Sequence, residues 1–285
     1  MSFISTRRSA LKTALTSAVL VGALALTGCA STPAESEADS TALSTITEGK
    51  LTIGTGLPAY EPWVVGDKPE SGEGYEAAVA YAVAAQLGFA AEDVVWVRTT
   101  FDEAIAPGAK NFDFNLQQYS ITDERKAAVD FSSAYYETTQ TVITTKGSKA
   151  DGVTTVSGLK GLVIGAATGT TSFTAIEEVI KPTAGAKAFN SNDDAKAALA
   201  AGQIDALVVD LPTALYLTAV EIDGGKIVGQ LSGATAGDKF GLVLDKGSNL
   251  TAAVSAAVDA LKADGTLAKL QETWLASYAG APVLK

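Results

Sequence analysis

Two rhythms of apolar and polar positions run along this chain. Leu51-Thr52-Ile53-Gly54-Thr55 is a short apolar run closed by Gly and Pro, which predicts a strand. Tyr75 to Leu87 sets apolar residues at helical spacing and stops at Gly88, which predicts a helix. Val94-Val95-Trp96-Val97 and Phe112-Asp113-Phe114-Asn115-Leu116 are the next strands, and a polar patch follows the second. The pattern then restarts. Leu162-Val163-Ile164-Gly165 predicts a strand leading into Thr168-Gly169-Thr170-Thr171-Ser172 and a helix through Ile180, stopped by Pro182. Asn192-Asp193-Asp194 opens a helix that Gly202 closes, with acids facing the positive helix end. Asp205 to Asp210 is a strand with an acid at its far end. Ser248-Asn249 caps a helix to about Ala263, and Gly265-Thr266 restarts one to about Trp274. Short strands alternating with helices imply βαβ units and a mainly parallel sheet. Two such arrangements without a sequence repeat suggest two lobes.

Ahead of these elements, Arg7, Arg8 and Lys12 precede an apolar run from Ala14 to Leu26. Basic, then apolar, then small residues is the layout of a secretory signal. The run is too short to cross about 30 Å of hydrocarbon comfortably. Leu26-Thr27-Gly28-Cys29 holds the chain's one cysteine and resembles a bacterial lipoprotein signal. That resemblance implies that residues 1–28 are removed and that Cys29 carries a lipid. The alternative is an ordinary buried or free cysteine behind a short membrane helix. Residues 29–48 are rich in Ser, Thr and acids and read as a flexible tether, because they cannot bury enough surface to offset ordering entropy.

The 285 residues carry a net charge of -11. Residues 1–28 hold three basic residues and no acid, which leaves 18 basic against 32 acidic residues, or -14, from Cys29 onward. Such a balance argues against nucleic acid as a partner, since phosphate neutralisation needs clustered Lys and Arg. A hydrophobic fraction of 47% is ample for a core of one large domain or two small ones. There is no histidine, and the lone cysteine is committed to the lipid. A Ser-His-Asp triad and a His/Cys zinc site are therefore excluded by inventory. No metal or cofactor is expected, while carboxylate chemistry stays possible.

Several segments together resemble the extracytoplasmic solute-binding proteins of amino-acid ABC importers, bacterial solute-binding protein family 3. They are Ala59-Tyr60-Glu61-Pro62-Trp63, Gly74-Tyr75-Glu76, Ser120-Ile121-Thr122-Asp123-Glu124-Arg125, Val129-Asp130-Phe131-Ser132 and Tyr135-Tyr136. Gly169-Thr170-Thr171, Ile204-Asp205-Ala206 ending at Asp210, and Ala263-Asp264-Gly265-Thr266 ending at Trp274 complete the ordered set. The resemblance implies an α/β, two-lobed, periplasmic-binding-protein-like fold of type II, with two crossing hinge segments and the ligand between the lobes. It puts lobe one at 49–136 and 240–285. The hinge crossings and lobe two take up 137–239, with lobe two itself at about 140–235 and the crossings near Glu137–Thr139 and Thr235–Lys239. Hinge closure around the ligand is the expectation that comes with it.

Arg125 lies one turn inside a helix that begins after Thr122, and a guanidinium there can hold a carboxylate with two parallel bonds. Read alone, it could equally be a surface arginine paired with Asp123 or Glu124. The resemblance makes it the grip on the ligand's α-carboxylate, assisted by Ser120 and by the Gly169-Thr170-Thr171 turn. That turn opens a helix, where free N–H groups favour an anion, or where Thr170 or Thr171 simply caps. It lacks the lysine of a P-loop. Asp210, at the carboxyl end of a strand, faces the crevice where open α/β sheets bind ligands. It is implied to pair with the α-ammonium and could also cap a helix before Pro212. Tyr60 and Phe101 match positions for faces against the ligand, although a lone aromatic is more often core. Trp63 reads as packing behind the site.

Two departures from the family pattern stand out. Gln117 and Gln118 occupy positions where relatives carry small residues, so two long amides reshape the pocket. Gly56-Leu57-Pro58 stands where an aspartate often precedes the Tyr60 position, which disfavours a lysine or arginine ligand. The implied function is capture of an amino acid outside the cytoplasm and its delivery to an ABC permease, by a lipid-anchored monomer. The alternatives are a surface sensor without transport, or an enzyme on the same scaffold using cleft carboxylates.

Overall fold

The computed structural model describes residues 43–232, 237–278 and 280–285. The expected signal segment, Cys29 and residues 29–42 of the expected tether lie outside them, as does Thr235 of the second expected crossing. Nine strands are described: β1 (Leu51–Gly56), β2 (Val94–Thr99), β3 (Phe114–Asn115), β4 (Asp130–Thr145), β5 (Ile164–Ala167), β6 (Lys187–Phe189), β7 (Ala206–Asp210), β8 (Gly225–Gln230) and β9 (Gly237–Leu244). The helices are α1 (Tyr75–Gln86), α2 (Phe101–Ile105), α3 (Asp123–Lys126), α4 (Val156–Leu159), α5 (Thr171–Ala175), α6 (Asn192–Ala200), α7 (Leu211–Tyr216), α8 (Thr251–Ala263) and α9 (Thr266–Leu275). Among the described residues no helix is long and apolar enough to cross a membrane.

The strands run in the order β2-β1-β3-β9-β4-β7-β5-β6, with β8 also on β4. β1 pairs in parallel with β2 and β3, and β5 pairs in parallel with β6 and β7. A strand covered on both faces reads as a continuous apolar run, which is why Leu51–Gly56 and Ala206–Asp210 are buried at every position. The sheet is nonetheless mixed rather than mainly parallel. β4 and β9 are antiparallel to their neighbours and connect the two parallel halves. Asp130 to Thr139 of β4 pair with β9, while Gln140 to Ile143 pair with β7. In the stretch between, Glu137 faces Lys239, Thr138 faces Asp238 and Thr139 faces Gly237.

Each half has its own core. The first gathers Leu51, Ile53, Trp63, Tyr75, Phe114, Phe240, Val254 and Leu275 on one face of its sheet, and Phe112, Tyr119, Val129 and Val243 on the other. The second gathers Val142, Ile164, Ile176 and Val208 on one face, and Ile143, Leu199, Leu207 and Leu217 on the other. Gly74 lets α1 start hard against the first core. Its φ is +101°, and a Cβ there would lie 2.5 Å from the Trp63 carbonyl oxygen.

The chain joins and leaves these cores differently from the sequence expectation. Leu43 already packs on the first core, and the Ile46 amide donates to Asp113 Oδ1 at 2.8 Å, so residues 43–48 belong to the packed body rather than to a tether. The C-terminal residues, expected in lobe one, return to the second half. Leu284 is buried in the second core, and its amide donates to the Gln230 carbonyl of β8 at 2.9 Å. The physical cause is the open side of β8 at Gln230, whose own amide donates to Pro282 at 2.7 Å. Seating Leu284 in the adjoining core adds about 1.5–3 kcal/mol.

Candidate functional site

Every parallel strand ends its run at the same cavity, of about 210 Å³. After β1 come Leu57, Pro58 and Tyr60; after β2, Thr100 to Asp102; after β3, Gln117, Gln118, Ser120 and Arg125. From the other half come Thr168, Thr170 and Thr171 after β5, Asn190 to Asn192 after β6, and Asp210 closing β7. The carboxyl ends of parallel strands are where open α/β sheets bind ligands. Gln140 of β4 and Phe240 of β9 line it where the halves join.

Arg125 is placed by a short helix. The helix begins after Thr122, as expected, and Thr122 caps α3 by accepting from the Arg125 amide at 3.1 Å. Arg125 is 8% exposed. Nη1 donates to the Ser120 carbonyl at 2.8 Å, and Nη2 donates across to the Gly169 carbonyl at 2.9 Å. Its carbon sits 5.2 Å from the centre of the Phe101 ring. Neither Asp123 nor Glu124 pairs with it, so the surface-arginine alternative fails. Burial pushes the guanidinium below its usual value, yet arginine stays charged at neutral pH. The result is a buried cation with no carboxylate in salt-bridge range among the described residues.

Asp210 is the matching anion on the other half. It caps α7, accepting from the Thr213 amide at 3.1 Å, with Pro212 in the first turn. It therefore fills the capping position while still lining the cavity. Burial raises its carboxyl to about 6, against the lowering effect of its bonds to Thr213.

Thr170 caps α5 through the Phe173 amide at 3.1 Å. Ser120 and Thr171 hydroxyls touch at 3.1 Å, and Thr171 donates to Asp238 Oδ2 at 2.7 Å. Gln140 Nε2 also donates to Asp238, and Ser172 donates to Gln140 Oε1 at 2.6 Å. Ser120 and Thr171 are thus tied to both strands that join the halves. Gly169 is not part of the cavity wall; its carbonyl serves as the acceptor for Arg125. Tyr60 does more than present a face, because its hydroxyl donates across to Asp193 Oδ2 at 2.9 Å. Phe101 stacks on Tyr119 at 4.7 Å and carries the Arg125 guanidinium.

The two glutamines are held from behind. Gln117 Oε1 accepts from the Tyr119 hydroxyl at 2.9 Å. Gln118 stands in the left-handed region at φ +52°, a costly conformation for a residue with a Cβ. Glu76 compensates, accepting from the Gln118 amide at 2.8 Å and also from Gln118 Nε2 and the Tyr135 hydroxyl. Glu76 is fully enclosed, and burial raises its carboxyl to about 7. The sequence pattern gives Glu76 no role and does not single out Asp238, Gln140 or Asp193. An acid on the otherwise apolar start of α1, inside the Gly74-Tyr75-Glu76 segment, is a signal that could have flagged Glu76 as a brace.

Comparison with known proteins gives a consistent set of likenesses. The sequence model of the bacterial extracellular solute-binding proteins, family 3, matches residues 51–277. The L-arginine-binding protein of Pseudomonas aeruginosa is 34% identical over 193 residues, covering 63% of this chain and 71% of its own. The L-cystine-binding protein TcyJ of Escherichia coli is 30% identical over 272 residues, covering 93% and 96%. An ancestral arginine-binding protein solved with arginine is 31% identical, with a TM-score of 0.66 over 79% of this chain and 98% of that one. An ancestral arginine-binding protein solved with glutamine gives a TM-score of 0.67 over 80% and 98%, at 31% identity. The two-lobed type II fold is thereby shared.

Proposed function

The chain belongs to the bacterial extracellular solute-binding proteins of family 3, and on that premise we propose that it captures a free α-amino acid between its two halves and hands it to an ABC permease for import. One observation carries the reading. A buried guanidinium with no carboxylate in salt-bridge range among the described residues and a buried carboxylate, contributed by opposite halves, line one cavity. A zwitterion is the small solute that satisfies both at once. Arg125, Ser120, Thr170 and Thr171 take the α-carboxylate in this reading, and Asp210 takes the α-ammonium. Tyr60, Phe101, Gln117 and Gln118 shape the space for the side chain. The lobes are 43–136 with 240–280, and about 140–235 joined by the C-terminal residues 281–285.

Contacts reaching from both halves are the ones that favour closure, since a ligand shifts an equilibrium only by its differential affinity. Each charge-assisted bond contributes roughly 1.5–3 kcal/mol, so a handful supports micromolar affinity at about 8 kcal/mol. The relatives named above are binding proteins for arginine and cystine, which agrees with capture rather than turnover. Leu57 lines the cavity in place of an acid. Thermal-shift screening against the standard L-amino acids and L-cystine tests the reading: a raised melting temperature with one or a few is expected, and none with any would refute it. The lipid anchor at Cys29 is tested separately by Cys29→Ser, which should move the protein from the membrane fraction to the soluble one.

A further inference from the structure

Trp63 belongs to the first core, where it is fully buried and packs edge-on against Tyr75, Tyr136 and Phe240. Its ring is held from three sides, so the direction of its one polar atom is fixed. That atom, Nε1, donates to the Thr213 hydroxyl at 3.0 Å. Thr213 lies on α7 of the second half and is itself buried. An indole N–H only donates, so the hydroxyl must accept from it. Its single proton is then free for a different acceptor, and the Thr213 side chain acts to lower the Asp210 carboxyl. The Thr213 amide holds the same carboxylate at 3.1 Å. We propose that Trp63 and Thr213 are positioning residues for Asp210: the first half, through one indole and one hydroxyl, orients the second half's carboxylate toward the ligand ammonium.

This inference rests on the ammonium role given to Asp210 above. It adds that the aspartate is not set by its own half alone. The indole fixes which way the hydroxyl proton points, and the proton fixes which carboxylate oxygen is left for the ligand. A carboxylate whose second oxygen is free to rotate would lose the directional part of a charge-assisted bond. The same relay makes Asp210 correctly oriented only when the two halves stand at the spacing the Trp63 bond requires.

The test uses the whole protein with L-arginine, L-glutamine and L-cystine, together with guanidinovalerate and glutaramate, which lack the α-amine. Thr213→Val should raise Kd for the amino acids about tenfold, as expected for one lost hydrogen bond, and Thr213→Ser should restore it to within about twofold. The deaminated analogues should bind Thr213→Val as they bind the wild type. Trp63→Phe, which keeps an aromatic ring but removes the donor, should follow Thr213→Val. Two readouts need no ligand. The Trp63 indole proton resonance should move upfield in Thr213→Val, and the Asp210 carboxyl should titrate at higher pH, having lost a donor. Amino acids and deaminated analogues weakened equally, or an unmoved indole resonance and Asp210 titration, would overturn the proposal. A wild type that binds none of the probes but shows both spectroscopic shifts would overturn the amino-acid reading and leave the relay standing.

Discussion

Arg125→Ala separates a binding arginine from a structural one because the two roles move different quantities. In the structure Arg125 is 8% exposed, and its guanidinium has two carbonyl partners but no carboxylate in salt-bridge range among the described residues. Removing it has opposing effects on stability. Two carbonyls lose a donor, which costs about 1–3 kcal/mol for a buried group left unsatisfied. Against this, a buried unpaired charge disappears, and the desolvation it imposed was several kcal/mol. The two nearly cancel, so the melting temperature measured without ligand should stay within about 3 °C of wild type. Binding has no such compensation. The ligand carboxylate would enter a buried site without its cation, which costs about 3–5 kcal/mol. That is a loss of roughly two to four orders of magnitude in Kd. Isothermal titration with the best amino acid from the thermal-shift screen measures the second quantity, and a melt without ligand measures the first. Arg125→Lys should fall between, since an ammonium cannot form the bidentate pair. Unchanged affinity with a melting temperature lowered by many degrees would refute the reasoning, because the arginine would then be a bolt between Ser120 and Gly169.

Three further outcomes follow from the same geometry. Asp210→Asn should weaken amino acids at least tenfold in calorimetry while sparing deaminated analogues; equal losses would misassign the ammonium contact. Tyr60→Phe removes the bond to Asp193 across the cleft and should raise Kd about fivefold with little change in the melt without ligand. Acidification should act in opposite directions on stability and binding. Asp210 and Glu76 are raised from 3.8 and 4.5 to about 6 and about 7, so the folded protein holds protons that the unfolded chain releases. Stability without ligand therefore falls as pH rises through that window, and melting should improve between about pH 8 and pH 5. Affinity should drop over the same range, because a protonated Asp210 no longer attracts an ammonium. A melt that worsens together with affinity would refute the assignment of these two buried acids.

The site was legible in sequence where local chemistry fixes geometry. Thr122 before Arg125, Thr170 before α5 and Asp210 before Pro212 are caps, and a cap dictates where the next residues point. The fold was less legible wherever a strand gets its pairing from far away. β4 runs sixteen residues through Asp130–Thr145 with an irregular mix of polar and apolar positions, because its two ends pair with strands of different halves. β9 and β8 have the same problem, and none of the three stands out as a strand in the pattern. The tail was misplaced because Leu284 finds its core only after β8 exists to pair with. Glu76 was invisible as a brace because its partner, Gln118, needs it only once the chain enters the left-handed region.

Several of the direct contacts between the halves are neutral or end on a neutral acceptor: Ser120 with Thr171, Trp63 with Thr213, and the Arg125 guanidinium on a carbonyl. Neutral hydrogen bonds contribute about 1 kcal/mol each, which is too little to hold two lobes shut against their own entropy by a wide margin. The stronger attractions open to this site are those between full charges. Among the described residues, Arg125 is buried with no carboxylate in salt-bridge range, and Asp210 is buried with no cation in that range and is pushed toward protonation. Desolvating each of these charges costs stability, and a zwitterion offsets both costs in one step. An uncharged molecule of the same shape offsets neither. In the proposed function, selectivity for a zwitterion would arise from these two charges, and closure would be coupled to occupancy because they sit on different halves.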